Sequence, residues 1–578
     1  MCGLFGIFSA KKLSEADLLR ANRARDRLIH RGPDNGGYWV SANLYVGHRR
    51  LSIIDISSSG NQPMVSDRAV IAVNGEIYNF QGLKFELEQA GFVFKSDSDS
   101  EVILHGYELW GLESLCEKLD GMYAAVIFDR QKNRLLFIRD RIGIKPLYYY
   151  IDNERLIWSS ELKGVVNYIG SERLEIEPEA VIDFLTYRYI PAPKTVYKNV
   201  YKLCAAHTFE IDLASFTATT NQYWSLDTTE RESGDDQNTT QLLALLRESV
   251  HQQLVSDVPL GLLLSGGVDS SAVAALATEK QKLNSFSIGF DDPKKDETRY
   301  AQIVAEHVES EHVVHYVKDA EVVALAEKLS DWFDEPFGDT SAIPTWLVSN
   351  LAKSRVKVAL SGDGGDELFG GYEWYARYSR LRKLQKWFPL KSRQGFRFPK
   401  FIPKSKQLEL LSISDPVVLY SRIRNGLPAY QLKHWMKRLG VSMHYDPYWA
   451  YRRHFDKSLG VRKAAQVIDF YTYLPDDILV KVDRVSMDVA LECRPPFLSK
   501  KLVEFAFSLP ESFHYRNGEL KGGLKDALRG VLPSEILDRP KQGFSLPASG
   551  WKRTILGESK MMQEKLLEAF YKYIDRPL

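Results

Sequence analysis

The sequence predicts two domains of different fold class: an α+β domain built on two antiparallel sheets between helices, followed by an α/β domain built on a parallel sheet. Strand-like runs joined by short turns dominate residues 1–205. Over residues 241–578, apolar strands first alternate with amphipathic helices, and helices prevail later. Residues 206–240 include the run TTERESGDDQNTT, which has no apolar side chain and is typical of a linker.

Composition and charge narrow the range of partners. The chain has 578 residues, of which 44% are hydrophobic and 26% charged, and its net charge is +1. This near-neutral balance gives no reason to expect nucleic acid or an anionic membrane as a partner. We expect small-molecule substrates, and a homodimer is an open expectation.

Cysteine spacing and hydropathy bear on the compartment. The four cysteines are far apart and form no C-x-x-C pair, which argues against a zinc site or a disulfide framework and fits a reducing cytosol. No apolar run approaches the roughly 18 residues of a membrane span. The short apolar stretch at the N-terminus lacks the basic flank of a signal peptide. We therefore expect a cytoplasmic protein.

The first 205 residues carry the pattern of a two-sheet sandwich. MYAAVIFDR and RLLFIRD read as a hairpin across Gln131–Asn133, and PLYYYID and RLIWSS read as another. The predicted strands are Gly3–Phe8, Leu44–Asp55, Ala69–Tyr78, Met122–Asp129, Arg134–Arg139 and Leu147–Ile151, and the predicted helices are Ala16–Leu28, Phe80–Ala90 and Ser100–Trp110. Two antiparallel sheets covered by these helices satisfy the pattern.

The second half follows the βαβ rhythm of a parallel sheet. Apolar residues recur at helical spacing over Gln241–Leu254 and alternate along the strand Ser285–Phe290. A further helix is predicted at Glu297–Val308, and a strand at Val356–Leu360. Because ligands bind at the carboxyl ends of parallel strands, we expect the site where these strands end.

The segment SGGVDSS, residues 265–271, joins an apolar run to a helix. At such a junction, free N–H groups and the positive end of the helix dipole favour an anion. Glycines let the backbone close around phosphate oxygens, and serine hydroxyls add donors. The residues assigned to this role are Ser265, Gly266, Gly267, Ser270 and Ser271, with Asp269 as a ligand for a phosphate-bound metal ion.

No Gly-Lys-Ser/Thr follows this segment, so it is not a Walker loop. It resembles the pyrophosphate loop of ATP pyrophosphatases, which activate a carboxylate as its adenylate. The alternative is a strand-to-helix turn with serine caps.

A second glycine-rich loop, LSGDGGDE, ends the apolar strand VKVAL. It crowds three acids, Asp363, Asp366 and Glu367, and crowded acids repel one another unless a cation or an ammonium lies among them. Mg²⁺ between pyrophosphate oxygens is the simplest interpretation, with Asp269 and Asp366 as its protein ligands. A solvated acidic turn is the alternative.

Cys2 follows the initiator methionine. Removal of Met1 would leave an α-amine, with a pKa of about 7.7–8.0, that can act as the base for the adjacent thiol. A Cys at position 2 is weak evidence alone. Three further stretches add to it: His30–Asp34, Gly47–Asp55 and Asn74–Asn79.

With these motifs, residues 2 to about 200 resemble a class II glutamine amidotransferase domain of the N-terminal-nucleophile hydrolase fold. The resemblance implies Cys2 as the nucleophile and Asn74 with the Gly75 N–H as the oxyanion hole. It also implies a glutamine site formed by Arg50, Ile53, Ile54, Asn74, Glu76 and Asp99. In that site Arg50 would bind the α-carboxylate, while Glu76 and Asp99 would hold the α-amino group.

The residue types suit this chemistry. An arginine fork pairs with a carboxylate in two hydrogen bonds, and an amide with a backbone N–H suits a developing oxyanion. Alternatives remain for single positions: Asn74-Gly75 as a type I′ hairpin turn, and Asp99 as a helix N-cap. His30 and His48 are interpreted as structural.

SGGVDSS and LSGDGGDELFGGY together resemble the synthetase domain of glutamine-hydrolysing asparagine synthetases, whose domain order the chain also follows. The match continues through Asp334–Asp339, Glu492–Leu498, Lys525–Arg529 and Arg539–Phe544. The resemblance implies that Leu264, Ile288, Ser361 and Gly362 bind ATP and that Lys525 is the catalytic lysine. Taken alone, Lys525 could equally be a helix-surface lysine.

Two departures concern the acceptor. This chain has Asp363-Gly364-Gly365 where well-studied members of the family have Glu-Gly-Ser, and Ser499 where they have Asp. We assign Asp363 to the acceptor and ammonia step; it is one methylene shorter than Glu, so its reach changes.

The expected reaction is glutamine hydrolysis coupled to adenylation and amidation of aspartate, with ATP and Mg²⁺. The same chemistry on a uronic acid or a cell-envelope precursor is the first alternative. A non-catalytic paralogue or a synthetase using free ammonia is disfavoured, because the motifs and Cys2 are intact.

Overall fold

Three sheets organise the described part of the chain in the computed structural model, which covers residues 2–231, 234–293, 295–387, 406–424, 426–542, 565, 567–568 and 570–572. Two six-stranded antiparallel sheets lie in the N-terminal half, and a five-stranded parallel sheet lies in the C-terminal half. The predicted fold class, an antiparallel α+β sandwich followed by a parallel α/β domain, is confirmed.

The first sheet has the strand order β10-β8-β9-β1-β3-β2, and the second has the order β12-β11-β7-β6-β5-β4. The strands are β1 (Gly3–Ser9), β2 (Asn35–Val40), β3 (Leu44–Arg50), β4 (Met64–Val65), β5 (Ala69–Ile77), β6 (Gly121–Asp129), β7 (Arg134–Arg139), β8 (Tyr148–Ile151), β9 (Arg155–Ser159), β10 (Val200–Lys202), β11 (His207–Asp212) and β12 (Thr217–Gln222).

Alternation along the strands builds four layers. Leu4 and Phe8 of β1 pack in the core between the sheets, whereas Phe5 and Ile7 face the other way, in a core shared with helices. Trp158 of β9 is buried in the core between the sheets. The helices of this half are Glu15–Asp26, Phe80–Gln89, Glu101–Lys118, Leu162–Ile169 and Pro178–Tyr187.

The parallel sheet has the order β15-β14-β13-β16-β17. Its strands are β13 (Leu260–Leu263), β14 (Asn284–Phe290), β15 (Glu311–Val317), β16 (Val358–Leu360) and β17 (Glu492–Arg494). The helices before β16 are Asp235–Gln252, Val268–Thr278, Thr298–His307, Asp319–Ala326, Leu329–Phe333 and Ala342–Lys353. Because the five strands are parallel, their carboxyl ends all lie at the same end of the sheet.

The remainder is largely helical in the described residues, as predicted. Its helices are Gly365–Phe369, Glu373–Trp387, Lys406–Ser412, Pro416–Ile423, Ala429–Leu439, Trp449–His454, Val461–Tyr471, Leu479–Asp488, Lys500–Ser508, Glu511–His514, Gly522–Ala527 and Ser534–Leu537. No helix in this described part is long and apolar enough to cross a membrane.

Some predicted boundaries need correction. The linker predicted over 206–240 contains β11 and β12, and β11 pairs with β7 in the second sheet. The helix predicted from Gln241 already begins at Asp235. Six exposed positions along β12 hide this strand from a hydrophobicity pattern, because only its backbone is engaged.

Two further elements differ from their predicted ends. The strand predicted over Leu44–Asp55 ends at Arg50, because the chain then turns into a loop. The helix predicted over Ser100–Trp110 runs on to Lys118, although Gly111 breaks its geometry with a φ of 75°.

Buried ion pairs join the two domains. Arg31 donates to Asp483 at 2.7 and 3.1 Å and to Glu161 at 2.8 Å. Arg484 lies 2.8 Å from Glu161 and 3.1 Å from Asp334. These five residues, here named the interdomain ion cluster, are all buried or nearly so. They fix how the sandwich rests on the parallel-sheet domain.

A glycine in β1 tests the packing between the sheets. A Cβ at Gly6 would lie 2.0 Å from the Trp158 ring, so Gly6→Ala should lower stability by about 1–3 kcal/mol through overpacking. Gly82→Ala is the control, because a Cβ there meets nothing within 4 Å and alanine favours the helix. Thermal unfolding followed by circular dichroism should show a lower melting temperature for Gly6→Ala only. Equal melting of the two variants would contradict this account.

Candidate active sites

Cys2 lies at the start of β1, buried between the first sheet and β5. Its backbone N–H donates to Asn74 Oδ1 at 2.9 Å, and its carbonyl accepts from Arg31 Nε at 3.0 Å. Burial raises the pKa of the Cys2 thiol. The thiol therefore needs a nearby base before it can act as a nucleophile.

Asn74 and Gly75 lie inside β5, opposite Ala124 and Tyr123 of β6. The hairpin-turn alternative for this dipeptide is therefore wrong. Asn74 is fully buried, and its Nδ2 has no hydrogen-bond partner among the described residues. Gly75 has a φ of 152°, and a Cβ there would lie 2.0 Å from the Met122 carbonyl oxygen. A buried amide donor beside Cys2 is thus left free for another acceptor.

Arg50 ends β3 and holds the loop that follows. Its Nη1 donates to the Ser57 carbonyl at 2.7 Å and to Asn61 Oδ1 at 2.9 Å, and its Nη2 also donates to the Asp55 carbonyl. Ile53 is buried in this loop, and its carbonyl accepts from the N–H of Asp257 at 3.0 Å. The loop carrying Ile53 and Ile54 therefore rests on the parallel-sheet domain.

Glu76 and Asp99 are both buried beside β5. Asp99 Oδ2 accepts from the N–H of Ile77 at 2.7 Å, and burial raises the pKa of Asp99 to about 6. Burial and the Asp99 charge raise the pKa of Glu76, whose Oε2 has no partner in the described structure. Asp99 is not the N-cap of the following helix, because Ser100 occupies that position. Two buried carboxylates, one of them with an oxygen that accepts no hydrogen bond in the described structure, suit a cationic group.

His30 and His48 take structural positions. The His48 ring bonds the Val73 carbonyl at 3.0 Å, and burial lowers the pKa of His48 to about 3. His30 lies 3.1 Å from Glu161 of the interdomain ion cluster. Neither ring is hydrogen-bonded to Cys2.

A cavity of about 980 Å³ opens at the carboxyl ends of β13, β14 and β16. Its lining includes nearly all residues predicted for ATP and acceptor: Leu264, Ser265, Gly267, Asp269, Ser270, Ile288, Ser361, Gly362, Asp363, Asp366 and Lys525. Gly266 and Ser271 do not line it. Gly266 instead turns with a φ of 71° against Tyr300 and Ala301, and Ser271 is buried in the first turn of a helix.

Within SGGVDSS, two serines shape the loop. Ser265 Oγ lies 2.9 Å from Ser270 Oγ and accepts from the N–H of Gly267 at 3.3 Å. The helix that follows, Val268–Thr278, has no side-chain cap at its start. Its first N–H groups therefore lack a side-chain acceptor at the edge of the cavity.

Glycines bring the two loops into direct contact. A Cβ at Gly362 would lie 2.7 Å from the backbone nitrogen of Ser270, and one at Gly365 would lie 2.5 Å from the Asp269 carboxylate. Any larger residue would push the acid loop away from SGGVDSS. The glycines are required for close approach as well as for flexibility.

Lys521 was missed in the sequence, yet it joins the two acids predicted to bind metal. Its Nζ lies 2.5 Å from Asp366 Oδ1 and also contacts Asp269, while Lys541 contacts the same oxygen of Asp366. Asp269 Oδ1 remains without a hydrogen-bond partner in the described chain. Burial opposes the charge on Lys521, but Asp269 and Asp366 raise its pKa.

Lys525, the predicted catalytic lysine, lies in the helix Gly522–Ala527, which Lys521 immediately precedes. Its Nζ donates to Glu519 Oε2 at 2.8 Å, and Glu519 is half exposed. The segment KGGLKDALR contains the same K-x-x-L spacing twice, at Lys521 and at Lys525. Spacing alone therefore does not distinguish the two lysines. Of the two, Lys521 is the one that contacts Asp269 and Asp366.

Asp363 borders both the large cavity and a small one at the domain interface. Its Oδ2 accepts from Ser361 Oγ at 2.7 Å, and burial raises its pKa. The small cavity is also lined by Ile144, Lys145 and Cys493. The motif residues Gly543 and Phe544 lie outside the described residues. Among those described, no group of three or more His, Cys, Asp or Glu side chains could hold a metal.

The free energy of unfolding of lysine variants tests whether Lys521, rather than Lys525, neutralises Asp269 and Asp366. Lys521→Met leaves Asp269 without its lysine and Asp366 with Lys541 alone, so we expect a loss of about 1.5–3 kcal/mol in the free energy of unfolding. Lys525→Met loses a half-exposed pair and should cost at most about 1 kcal/mol. The deficit of Lys521→Met should shrink as pH falls toward about 4, because protonated carboxyls need no cation. Urea unfolding at several pH values measures the loss for each variant. Equal losses would show that Lys521 does not neutralise the two acids more than Lys525 does.

Comparison with known proteins agrees with the two-site geometry. Residues 241–574 match the family model described as asparagine synthase, and residues 1–224 match the glutamine amidotransferase domain. Glutamine-hydrolyzing asparagine synthetase 1 of Bacillus subtilis (strain 168) is 31% identical over 584 residues, which cover 99% of this chain and 91% of that protein.

Two other proteins illustrate the range of similarity. A putative glutamine-hydrolyzing asparagine synthetase of Mycobacterium tuberculosis (H37Rv) is 33% identical over 589 residues, covering 96% of this chain and 88% of that protein. The solved glutamine phosphoribosylpyrophosphate amidotransferase of B. subtilis is 16% identical and covers 54% of this chain and 65% of that one, with a TM-score of 0.30, which is too low to carry an argument. From the family model over residues 241–574 and the 31% identity over nearly the whole length, the chain belongs to the asparagine synthase family and has an N-terminal glutamine amidotransferase domain.

Proposed function

We propose that this protein is a glutamine-hydrolysing asparagine synthetase, which forms glutamate, asparagine, AMP and pyrophosphate from glutamine, aspartate, ATP and water. The observation that carries the proposal is the presence, in one chain of this family, of two separate sites: the Cys2–Asn74 pair and the cavity between two glycine-rich loops. The first suits amide hydrolysis, and the second suits a nucleotide and an acid.

In the first site, the Cys2 thiolate attacks the side-chain amide carbon of glutamine. The α-amine that Met1 removal would expose is the proposed base. The Cys2–Asn74 bond turns the Asn74 amide so that its Oδ1 is engaged and its Nδ2 is free for the developing oxyanion, together with the Gly75 N–H. Collapse of the oxyanion releases ammonia, and water then cleaves the thioester to give glutamate.

Side chains around this pair would hold the rest of glutamine. Arg50 is proposed to bind the α-carboxylate, in place of some of the loop carbonyls that it now contacts. Glu76 and Asp99 are proposed to bind the α-ammonium, supported by the burial of both and by the Glu76 Oε2 that has no partner among the described residues. Ile53 and Ile54 belong to the loop that would close over the substrate.

In the second site, an aspartate carboxylate oxygen attacks the α-phosphorus of ATP, and pyrophosphate leaves. Ammonia then attacks the acyl carbon, loses a proton and displaces AMP. SGGVDSS would cradle the pyrophosphate, while Leu264, Ile288, Ser361 and Gly362 would contact the adenosine and the AMP phosphate. We propose Lys521, in place of Lys525, as the cation that stabilises charge on the phosphates.

Mg²⁺ fits the donors that are present. Asp269 has a buried oxygen without a partner among the described residues, and Asp366 contacts the same lysine, Lys521, as Asp269 does. These two carboxylates would hold the ion together with phosphate oxygens, which is how Mg²⁺ is usually bound at nucleotide sites. When bound, it would neutralise charge on the pyrophosphate. Passage of ammonia through an apolar tunnel, a cytoplasmic location and a homodimer stay predictions.

The acceptor is proposed to be aspartate because of the family, although Asp363 leaves an alternative. Ser361 already donates to Asp363, so this short side chain is held toward its own loop. A bulkier carboxylate such as a uronic acid is therefore the second candidate. Asp363 is proposed to receive the acceptor's ammonium or the incoming ammonia.

The nucleophile assignment predicts separation of the two activities. Cys2→Ala should lower glutamine-dependent synthesis by a factor on the order of 10⁴ or more, because no thioester can form. Synthesis driven by ammonium chloride should persist, since it bypasses the first site. Cys204→Ala, a cysteine away from the site, is the matched control and should keep both activities. Glutamine-driven turnover that survives in Cys2→Ala would refute the assignment.

The acceptor is decided by product analysis. Purified enzyme is incubated with glutamine, ATP and either aspartate or a panel of uronic acids, and products are identified by mass spectrometry. We expect asparagine and AMP in equal amounts with aspartate, and no amide with the sugars. Formation of a uronamide with no asparagine would establish the alternative acceptor and leave the amidotransferase chemistry intact.

A further inference from the structure

An arginine of the parallel-sheet domain reaches into the proposed glutamine site. Arg494 ends β17, the edge strand of the parallel sheet, and its Nη2 lies 3.6 Å from Glu76 Oε1 across the domain interface. Both side chains are buried. The guanidinium also lies 5.8 Å from the centre of the Tyr78 ring. Its partner Glu76 is the residue proposed above to bind the α-ammonium of glutamine.

The guanidinium is held in place by its own domain. Arg494 Nε donates to Glu492 Oε1 at 2.7 Å, and Nη1 donates to the carbonyls of Gln253 and Val255 at 2.8 and 2.7 Å. Nη2 makes no hydrogen bond in the described structure, and neither does Glu76 Oε2. A fixed cation therefore presents an unused donor to a carboxylate with an unused acceptor, both away from water.

Charges around Glu76 explain what this cation can do. The ionisable groups that act on Glu76 are Asp99, Glu492 and Arg494 on β17, and the positive chain N-terminus, with Tyr78 nearby. Arg494 and the positive chain N-terminus both favour the ionised form of Glu76, while Lys145 and the N-terminus also act on Glu492. Arg494 is the cation of this group that the parallel-sheet domain contributes. Without Arg494, the three buried carboxylates would repel one another, and protonation of Glu76 would relieve the repulsion.

We propose that Arg494 is a positioning residue of the glutaminase site: its fixed positive charge, supplied by the synthetase domain, keeps Glu76 ionised and oriented for the α-ammonium of glutamine. This inference rests on the proposed function of the first site and assigns it a residue from the other domain. A protonated Glu76 could not bind an ammonium as an ion pair, so the effect falls on glutamine binding more than on the chemical step.

The test compares Arg494→Met and Arg494→Lys in the full-length protein. Glutamate release is measured against glutamine concentration from about pH 6 to 9, the range in which a buried carboxyl with a raised pKa takes up a proton. For Arg494→Met we expect the KM for glutamine to rise about 10–100-fold near pH 7.5, because a larger fraction of Glu76 is protonated, with a smaller change in kcat.

The pH profile carries the sign of the effect. In the wild-type protein, KM for glutamine should rise as pH falls and Glu76 takes up a proton. In Arg494→Met this rise should begin at higher pH, because the carboxyl has lost its cation. Arg494→Lys keeps the charge without the fork and should restore most of the wild-type profile. Ammonia-dependent synthesis should stay near the wild-type rate in both variants.

A matched control breaks another buried pair between the domains. Lys202 lies 2.6 Å from Glu335, and neither residue faces Glu76. Lys202→Met should leave the KM for glutamine and its pH profile unchanged, even if the melting temperature falls. A similar KM shift in this control would show that loosening of the interface is the cause and would overturn the proposal.

Other outcomes are equally decisive. An Arg494→Met variant that loses kcat with an unchanged KM and pH profile would overturn the proposal. If that variant does not fold, Arg494→Gln decides, because it keeps hydrogen-bond donors but removes the charge: an unchanged KM and pH profile in Arg494→Gln would overturn the proposal. A wild-type protein without glutaminase activity would overturn the proposed function and this inference together, whereas an active wild type with an unaltered Arg494→Met would overturn the inference alone.

Discussion

The buried salt bridges between Arg31, Glu161, Asp334, Asp483 and Arg484 constrain everything else in this structure. Each of these ions loses hydration worth several kcal/mol on burial, and only well-placed counter-charges compensate for that loss. A small rotation of one domain on the other would leave charges unpaired in a dry interface. Such a cluster stabilises little on average, yet it discriminates strongly against any other arrangement of the domains.

The interdomain ion cluster also connects to the chemistry on both sides. Arg31 donates to the Cys2 carbonyl as well as to Asp483, so the start of β1 is held by a side chain anchored in the other domain. Asp483 in turn borders the small cavity that reaches Asp363. On the opposite flank, Arg494 approaches Glu76. The proposed glutamine site is therefore formed by the domain interface as much as by the N-terminal sandwich.

Local pattern was sufficient for much of the fold. Strand pairs joined by short turns, alternation along β14 and the glycine-rich turns after β13 and β16 identified the two sheet types and the ligand edge, because these signals depend on neighbours in sequence. β12 escaped, since an exposed edge strand needs no apolar face. Nearly all residues predicted for the nucleotide cavity do line it, apart from Gly266 and Ser271.

The sequence does not predict which charged residues pair with partners that are distant along the chain. Lys521 and Lys525 share one spacing, and only the position of Asp269 and Asp366, more than a hundred residues away, separates them. Arg31 lies in the motif His30–Asp34 and Arg494 in the motif Glu492–Leu498, and the partner of each arginine belongs to the opposite domain. Electrostatic partners across an interface leave no periodic trace in the chain.

Position 75 shows how narrowly such a site can be held. The backbone of Gly75 has a φ of 152°, and any Cβ would meet the Met122 carbonyl oxygen at 2.0 Å. Every single-base change that alters the amino acid at a glycine codon introduces a side chain or a stop. No single-base substitution at this codon therefore gives a residue that fits beside the proposed oxyanion donor Asn74. A mutation here either leaves the glycine unchanged or disrupts the site.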